Sequence, residues 1–151
     1  MTQLTRLFLD TNVYILGAAD RQSPEGLILD WVGFWDRATH SVEIVISEEL
    51  LDQISRVAKR LKNKDWSGEL IGRIWQNLNL HYTTIDNKAF SELEAQSNIP
   101  REDIGIYLTA RTGEAECFIS ANHKLIRNLV ETTQEFICLT PEEFVQSYLQ
   151  G

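Results

Sequence analysis

The sequence predicts an α/β fold, a three-layer α/β/α sandwich around a central parallel sheet of four to five strands. Short apolar runs, each the length of a buried strand, recur along the 151 residues. Between them lie longer segments whose apolar residues fall at helical spacing. Helix-start residues follow directly on the ends of the runs. Strands that alternate with helices in this way form a parallel sheet covered on both faces.

Leu7–Leu9 is the first strand and stops abruptly at Asp10, which Thr11, Asn12 and a second apolar stretch, Val13–Leu16, follow. Ser23-Pro24-Glu25 starts a helix, with an N-cap residue and proline at the first helical position. Leu27, Ile28, Trp31, Val32 and Trp35 give that helix an apolar stripe, so its tryptophans belong to the core. Glu43–Ile46 is the second strand. It ends in Ser47, an N-cap for a helix carrying Leu50, Ile54, Val57 and Leu61. A further helix from about Trp66 to Leu78 carries Leu70, Ile74 and Leu78, and Leu80–Ile85 is the third strand. Arg101–Thr112 is helical, with Ile104, Tyr107 and Leu108 inward. Glu116–Ser120 is a strand, Lys124–Val130 a helix and Phe136–Leu139 the last strand. Thr140-Pro141-Glu142-Glu143 is a capping box that opens a terminal helix.

Length and composition bound the function. The chain is one domain's worth of residues, 1–151, without internal repeats or linkers, and its 43% hydrophobic fraction is that of an ordinary globular protein. No apolar stretch approaches the ~18 residues of a membrane span, and the first run breaks too early for a signal peptide. A cytoplasmic location, with no membrane partner, is the expectation. Cys117 and Cys138 lack metal-type spacing and read as small core residues. The net charge of −8 excludes tight non-specific nucleic-acid binding, which needs lysine and arginine to displace counterions. It leaves room for a nucleic-acid enzyme whose acids are neutralised by divalent cations. Arg56, Lys59, Arg60, Lys62 and Lys64, with Arg73 beyond, form either a solvated helix face or an edge that contacts a phosphate backbone.

The polar residues at the strand ends carry the chemistry. Ligands bind in the crevice at the carboxyl ends of parallel strands, so Asp10 is either a ligand at that mouth or the N-cap of the following helix. Ser47 ends the second strand and begins a helix bearing Glu48, Glu49, Asp52 and Gln53. Glu102 and Asp103 open the helix before the fourth strand, and Ser120 and Asn122 close that strand. Acids and amides recur at places that converge in a parallel sheet, which a single cap would not explain. Oxygen ligands gathered there suit Mg²⁺ or Mn²⁺. A zinc site is not expected, because His40, His81 and His123 lack ligand spacing.

With these residues in order, the chain resembles the PIN-domain family, a compact metal-dependent ribonuclease fold that includes many bacterial toxins of toxin–antitoxin pairs. The resemblance rests on Leu7 to Ile15, on Val45-Ile46-Ser47 entering a helix, on Asp103 with Ala110 seven residues later, and on Glu116 to Leu125. It runs from about Leu7 to Phe144. It implies a site of three or four acids around one or two metal ions. Asp10 falls on the first acid and Asp103 on the third; Gln53 and Asn122 stand where the second and fourth are usual. Two carboxylates and two amides imply one Mg²⁺ or Mn²⁺ rather than two, with Asn122 contributing an amide oxygen. Glu49, four residues before Gln53 on the same helix face, is the candidate substitute, and Asp52 is turned ~100° away. The alternative for Glu48 and Glu49 is that they complement the helix dipole. Asn12 and Ser120 are expected to hydrogen-bond the carboxylates or the scissile phosphate.

The resemblance thus implies a metal-dependent endoribonuclease, with RNA as substrate and with a small antitoxin and a second copy of the chain as partners. The alternative is a PIN domain with a weakened or inactive site that binds RNA or protein. A haloacid-dehalogenase-like phosphatase also has an Asp after its first strand, but it needs an acid two residues on, where this chain has Asn12.

Overall fold

Arg6–Leu9 forms β1, whose Leu7, Phe8 and Leu9 are fully buried. A strand covered on both faces reads as a continuous apolar run, and β1 accordingly lies in the middle of the sheet. The structure, a computed structural model, describes residues 4–36, 42–96, 100–122, 124 and 136–149. The other strands are β2 (Glu43–Ile46), β3 (Leu80–Tyr82), β4 (Cys117–Ile119) and β5 (Ile137–Leu139). The sheet order is β3-β2-β1-β4-β5, and every pairing is parallel. The rings of Phe8 and Phe118, paired in register, stack at 4.7 Å across β1 and β4.

Helices α1 (Thr11–Ala19) and α2 (Pro24–Val32) connect β1 to β2; α3 (Glu48–Leu61) and α4 (Lys64–Asn77) connect β2 to β3. Helices α5 (Asn87–Gln96) and α6 (Arg101–Thr112) connect β3 to β4, and α7 (Pro141–Phe144) runs into a π-helical turn, Val145–Leu149. The chain steps outward from β1 to β3, then crosses back to β4 on the far side of β1. Right-handed crossovers in opposite directions put helices on opposite faces, which yields the expected three layers. The reversal makes β1 and β4 the switch point of the sheet, where side chains at the carboxyl ends are left uncovered.

Several expected elements shift for local reasons. The third strand ends at Tyr82, not Ile85, because its partner β2 ends at Ile46 and Thr83 N–H makes the last bond to that strand, at 2.8 Å. Asp86 then accepts from Lys88 N–H at 3.0 Å and starts α5, a helix the sequence does not announce because it buries no residue. Helix α2 stops before Trp35: Gly33 takes φ 95°, a left-handed value that suits glycine, and ends the helix. Leu27 and Leu61, expected inward, are exposed. Trp31 and Trp35 are half-buried against the core. Asn63 caps α4 at Trp66 N–H, 2.7 Å. The capping box at Thr140 and Glu143 is present as expected. Cys117 is buried and Cys138 half-buried. The helix expected at Lys124–Val130 falls outside the described residues except for Lys124. No helix among the described residues is long and apolar enough to cross a membrane.

Candidate functional site

Asp10 follows β1 directly and its backbone N–H extends the sheet to Ile119 O at 2.9 Å. The residue is buried and serves as the N-cap of α1: its Oδ1 accepts from Thr11 N–H at 2.8 Å. Its Oδ2 accepts from Ser120 Oγ at 2.6 Å and from Asn12 Nδ2 at 3.5 Å. Ser120 Oγ in turn accepts from Asn122 N–H at 2.9 Å and from Asn12 Nδ2 at 3.4 Å, which fills a hydroxyl's capacity of one donor and two acceptors. Asn12 Oδ1 accepts from Ala121 N–H at 3.1 Å. Asn12 and Ser120 therefore lock the end of β4 to the start of α1 and leave one orientation for the Asp10 carboxylate.

The rest of the site comes from α3 and α6. Ser47 Oγ caps α3 at Leu50 N–H, 3.2 Å, and lies 2.7 Å from Thr109 Oγ1 on α6, so one buried hydroxyl pair fixes the two helices together. Gln53 projects from α3, and its Oε1 accepts from the Thr11 hydroxyl. Asp103 is half-buried in the first turn of α6, where the helix dipole favours its negative charge. A cleft of about 400 Å³ brings Asp10, Asn12, Gln53, Glu102, Asp103 and Asn122 to one surface. Its opposite wall is apolar, from Ile15 and Leu16 on α1 and Val57 and Leu61 on α3.

Electrostatics separates this end of the sheet from the other. At the amino ends of the strands, Glu43 pairs with Arg6 at 3.0 Å, and Glu116 accepts from the hydroxyl and backbone N–H of Thr5 and from Arg6 N–H. The Thr5 bonds hold the Glu116 carboxyl below its usual range. At the carboxyl ends no lysine or arginine among the described residues lines the cleft. Burial pushes the Asp10 carboxyl up against the pull of its Ser120 and Thr11 bonds, and the Asp103 charge adds to the rise. Burial, with the Glu102 charge beside it, pushes Asp103 up as well. Burial and the Asp10 charge likewise raise the phenol of Tyr14, whose buried hydroxyl has no hydrogen-bond partner among the described residues.

Acids held near one another in a desolvated cleft without a counter-charge suit a cation. Among the described residues no three His, Cys, Asp or Glu side chains are grouped to hold a metal. The set beside Asp10 is two carboxylates, Asp10 and Asp103, with the amides of Gln53 and Asn122 nearby, while the third acid of the cleft, Glu102, is exposed and paired with Arg56 at 3.5 Å. All of these are oxygen donors, which fits one hard divalent ion. The structure places Glu49 elsewhere. It is exposed and lines a second cleft of about 480 Å³, bordered by α3, α5 and α6, with Gln53 and Glu102 shared between the two clefts. Asp52 also faces the second cleft. Thr11, whose hydroxyl engages Gln53, had one signal in the sequence, its place between Asp10 and Asn12.

No protein-family model and no curated protein sequence matches the chain. Solved structures do. One is the structure of VapBC2 from Rickettsia felis bound to a DNA fragment from their promoter: 14% identity, TM-score 0.58, covering 90% of this chain and 98% of that one. Another is VapBC-1 from nontypeable Haemophilus influenzae: 18% identity, TM-score 0.60, covering 91% of this chain and 99% of that one. Their agreement over nearly the full length of each chain shows the architecture: the protein has the PIN-like fold.

Proposed function

We propose that the chain is a metal-dependent endoribonuclease of the PIN type and the toxin of a toxin–antitoxin pair. The observation that carries this reading is the placement of Asp10 and Asp103 in one cleft at the switch point of the sheet, with no lysine or arginine among the described residues that line it. A Mg²⁺ or Mn²⁺ ion bound there supplies polarisation of a phosphodiester and a more acidic water. The chain's part is to hold and orient. Asp10 and Asp103 carry the charge that binds the ion. Ser120 and Asn12 fix the Asp10 rotamer through their hydrogen bonds. The Asn122 side chain lines the same cleft, beside the two acids. The solved neighbours are VapBC toxin–antitoxin complexes, which supports a small antitoxin as partner. RNA cleavage that requires Mg²⁺ or Mn²⁺ and disappears in Asp10→Asn is the expected result. Cleavage that survives chelator or that substitution would overturn the reading.

The second reading is a PIN-like domain that binds RNA or protein without cutting. It is favoured by one observation: Gln53, at the position of a usual acid, is already engaged by the Thr11 hydroxyl and brings no charge. Calorimetry with Mn²⁺ separates the two, since a non-cutting domain takes up no metal at millimolar concentration.

A further inference from the structure

The second cleft is not used by the chemistry above. It is open at about 480 Å³, within the size range of ligand pockets. Phe90 on α5, Ile85 before it and Ile106 on α6 give it an apolar floor. The Arg101 guanidinium lies over the Phe90 ring, 5.4 Å from its centroid. Arg56 stands at the α3 edge and pairs with Glu102 at 3.5 Å, but both side chains are about two-thirds exposed, so the pair is weak and open to exchange. The two clefts adjoin, since Gln53 and Glu102 line both.

Gly105 points independently to an occupant. It lies in the middle of α6, buried, on the wall of the cleft. A glycine there costs a helix about 1 kcal/mol relative to alanine. Packing does not demand it: an added Cβ would meet only Glu49 Cβ, at an ordinary 3.8 Å. What glycine provides at this position is a stretch of cleft wall without a side chain, on the side nearest Glu49.

From this arrangement we infer that the α3–α5–α6 cleft is a nucleobase subsite. It takes one unstacked base of a single-stranded RNA against Phe90 and Arg101, with an adjoining phosphate on Arg56. The inference rests on the RNA reading given above and names how that substrate is held. Aromatic and guanidinium planes are the surfaces on which single-stranded bases stack, and duplex bases are not available to them. A chain of net charge −8 cannot rely on general electrostatic attraction to RNA. Local stacking on Phe90, away from the acid pair, is a contact that needs neither that attraction nor a bound metal.

The test is fluorescence anisotropy of a labelled short single-stranded RNA in EDTA, where nothing is cut. Phe90→Ala is expected to weaken binding about tenfold, the range of one stacked base, and Phe90→Tyr to restore it. Gly105→Ala is expected to weaken binding while raising the thermal midpoint, which a purely structural role would not do. An RNA series with one abasic position at a time should contain a member that loses the same factor on the wild type and loses nothing more on Phe90→Ala. Equal binding by wild type and Phe90→Ala overturns the subsite and leaves the cleft to a protein segment, as does an abasic series without such a member. RNA binding that is absent altogether overturns it too. Cleavage of the same RNA in Mn²⁺, scored separately, decides the nuclease reading: binding that responds to Phe90 without any cleavage keeps the subsite and removes the nuclease.

Discussion

Ser120 Oγ donates to Asp10 Oδ2 at 2.6 Å across the carboxyl ends of two adjacent parallel strands. The same carboxylate caps α1 through its other oxygen. Capping and ligation are therefore compatible roles for Asp10. Thr11 N–H fixes one oxygen and Ser120 Oγ with Asn12 Nδ2 the other, and a carboxylate has about four acceptor sites in all. The cap orients the group, and the cleft gives its charge something to do.

Ser120→Ala tests that orientation. It removes the donor to a buried carboxylate and the acceptor that Asn122 N–H uses. Leaving such groups unsatisfied costs about 1–3 kcal/mol, read as a lower urea midpoint with an unchanged slope. The Asp10 carboxyl, without its hydroxyl donor, should titrate still higher, so the pH at which Mn²⁺ binding is half lost should move up.

Asp10→Asn should abolish cleavage and, in metal-free buffer, raise the thermal midpoint. Asparagine keeps the cap on Thr11 N–H and gives up the Ser120 bond to Oδ2, a loss that does not change with pH, while it removes a desolvated charge that Asp103 repels. The sign follows from linkage. A carboxyl raised in the folded state holds a proton that the unfolded chain, near pH 3.9, has already released. Stability conferred by the protonated form is complete below that value and is lost as pH rises through the raised one. The gain in midpoint for Asp10→Asn over wild type should thus grow from about pH 4 toward neutrality, to a few degrees. A gain that shrinks over that interval would contradict the burial argument.

Metal uptake has the opposite slope. Both Asp10 and Asp103 are raised by burial, and only the carboxylates bind a cation. Calorimetric affinity for Mn²⁺ should fall as pH drops through the raised values, and at a higher pH than for two ordinary surface aspartates. Asp103→Asn should cost affinity at neutral pH with little effect on the fold, because its side chain is half-exposed.

The parts of this arrangement legible in the sequence are those whose residues announce their environment locally. Leu7–Leu9 and Ile44–Ile46 are buried on both faces and read as unbroken apolar runs. Asp10, Ser120 and Asn122 were visible because a parallel sheet gathers whatever follows its strands. Helix α5 was not visible, since it fully buries no residue and only Ala89, Phe90 and Leu93 pack against the core. The second cleft was hidden with it, because Phe90 and Asn87 belong to that helix. Glu49 shares a helix face with Gln53, as spacing required, yet Gln53 is shared by the two clefts and Glu49 lies one turn away in the second. Spacing along a helix does not encode which neighbouring helix fills the space beside it.

Two glycines should respond oppositely to alanine. Gly17 is buried where α1 meets α2, and a Cβ there would stand 2.8 Å from the Glu25 carbonyl oxygen. Backbone cannot move aside cheaply, so Gly17→Ala should destabilise by about 1–3 kcal/mol despite better helix propensity. Gly105→Ala meets no such obstacle and should stabilise. Chemical denaturation of the two variants side by side checks the pair.

Gln53→Glu asks whether the missing charge limits the site. The position borders the cleft with Asp10 and Asp103, and the change takes that trio from −2 to −3. Glutamate still accepts from the Thr11 hydroxyl, so the local bond survives. Metal-free stability should fall, because a third acid joins two that already repel. Mn²⁺ affinity should rise by about tenfold, since ~1.4 kcal/mol is modest for one added carboxylate near a divalent ion. If cleavage rises in parallel, lost charge at Gln53 is what weakens the centre. If affinity rises and cleavage does not, the Gln53 amide has a role of its own in holding RNA between the two clefts.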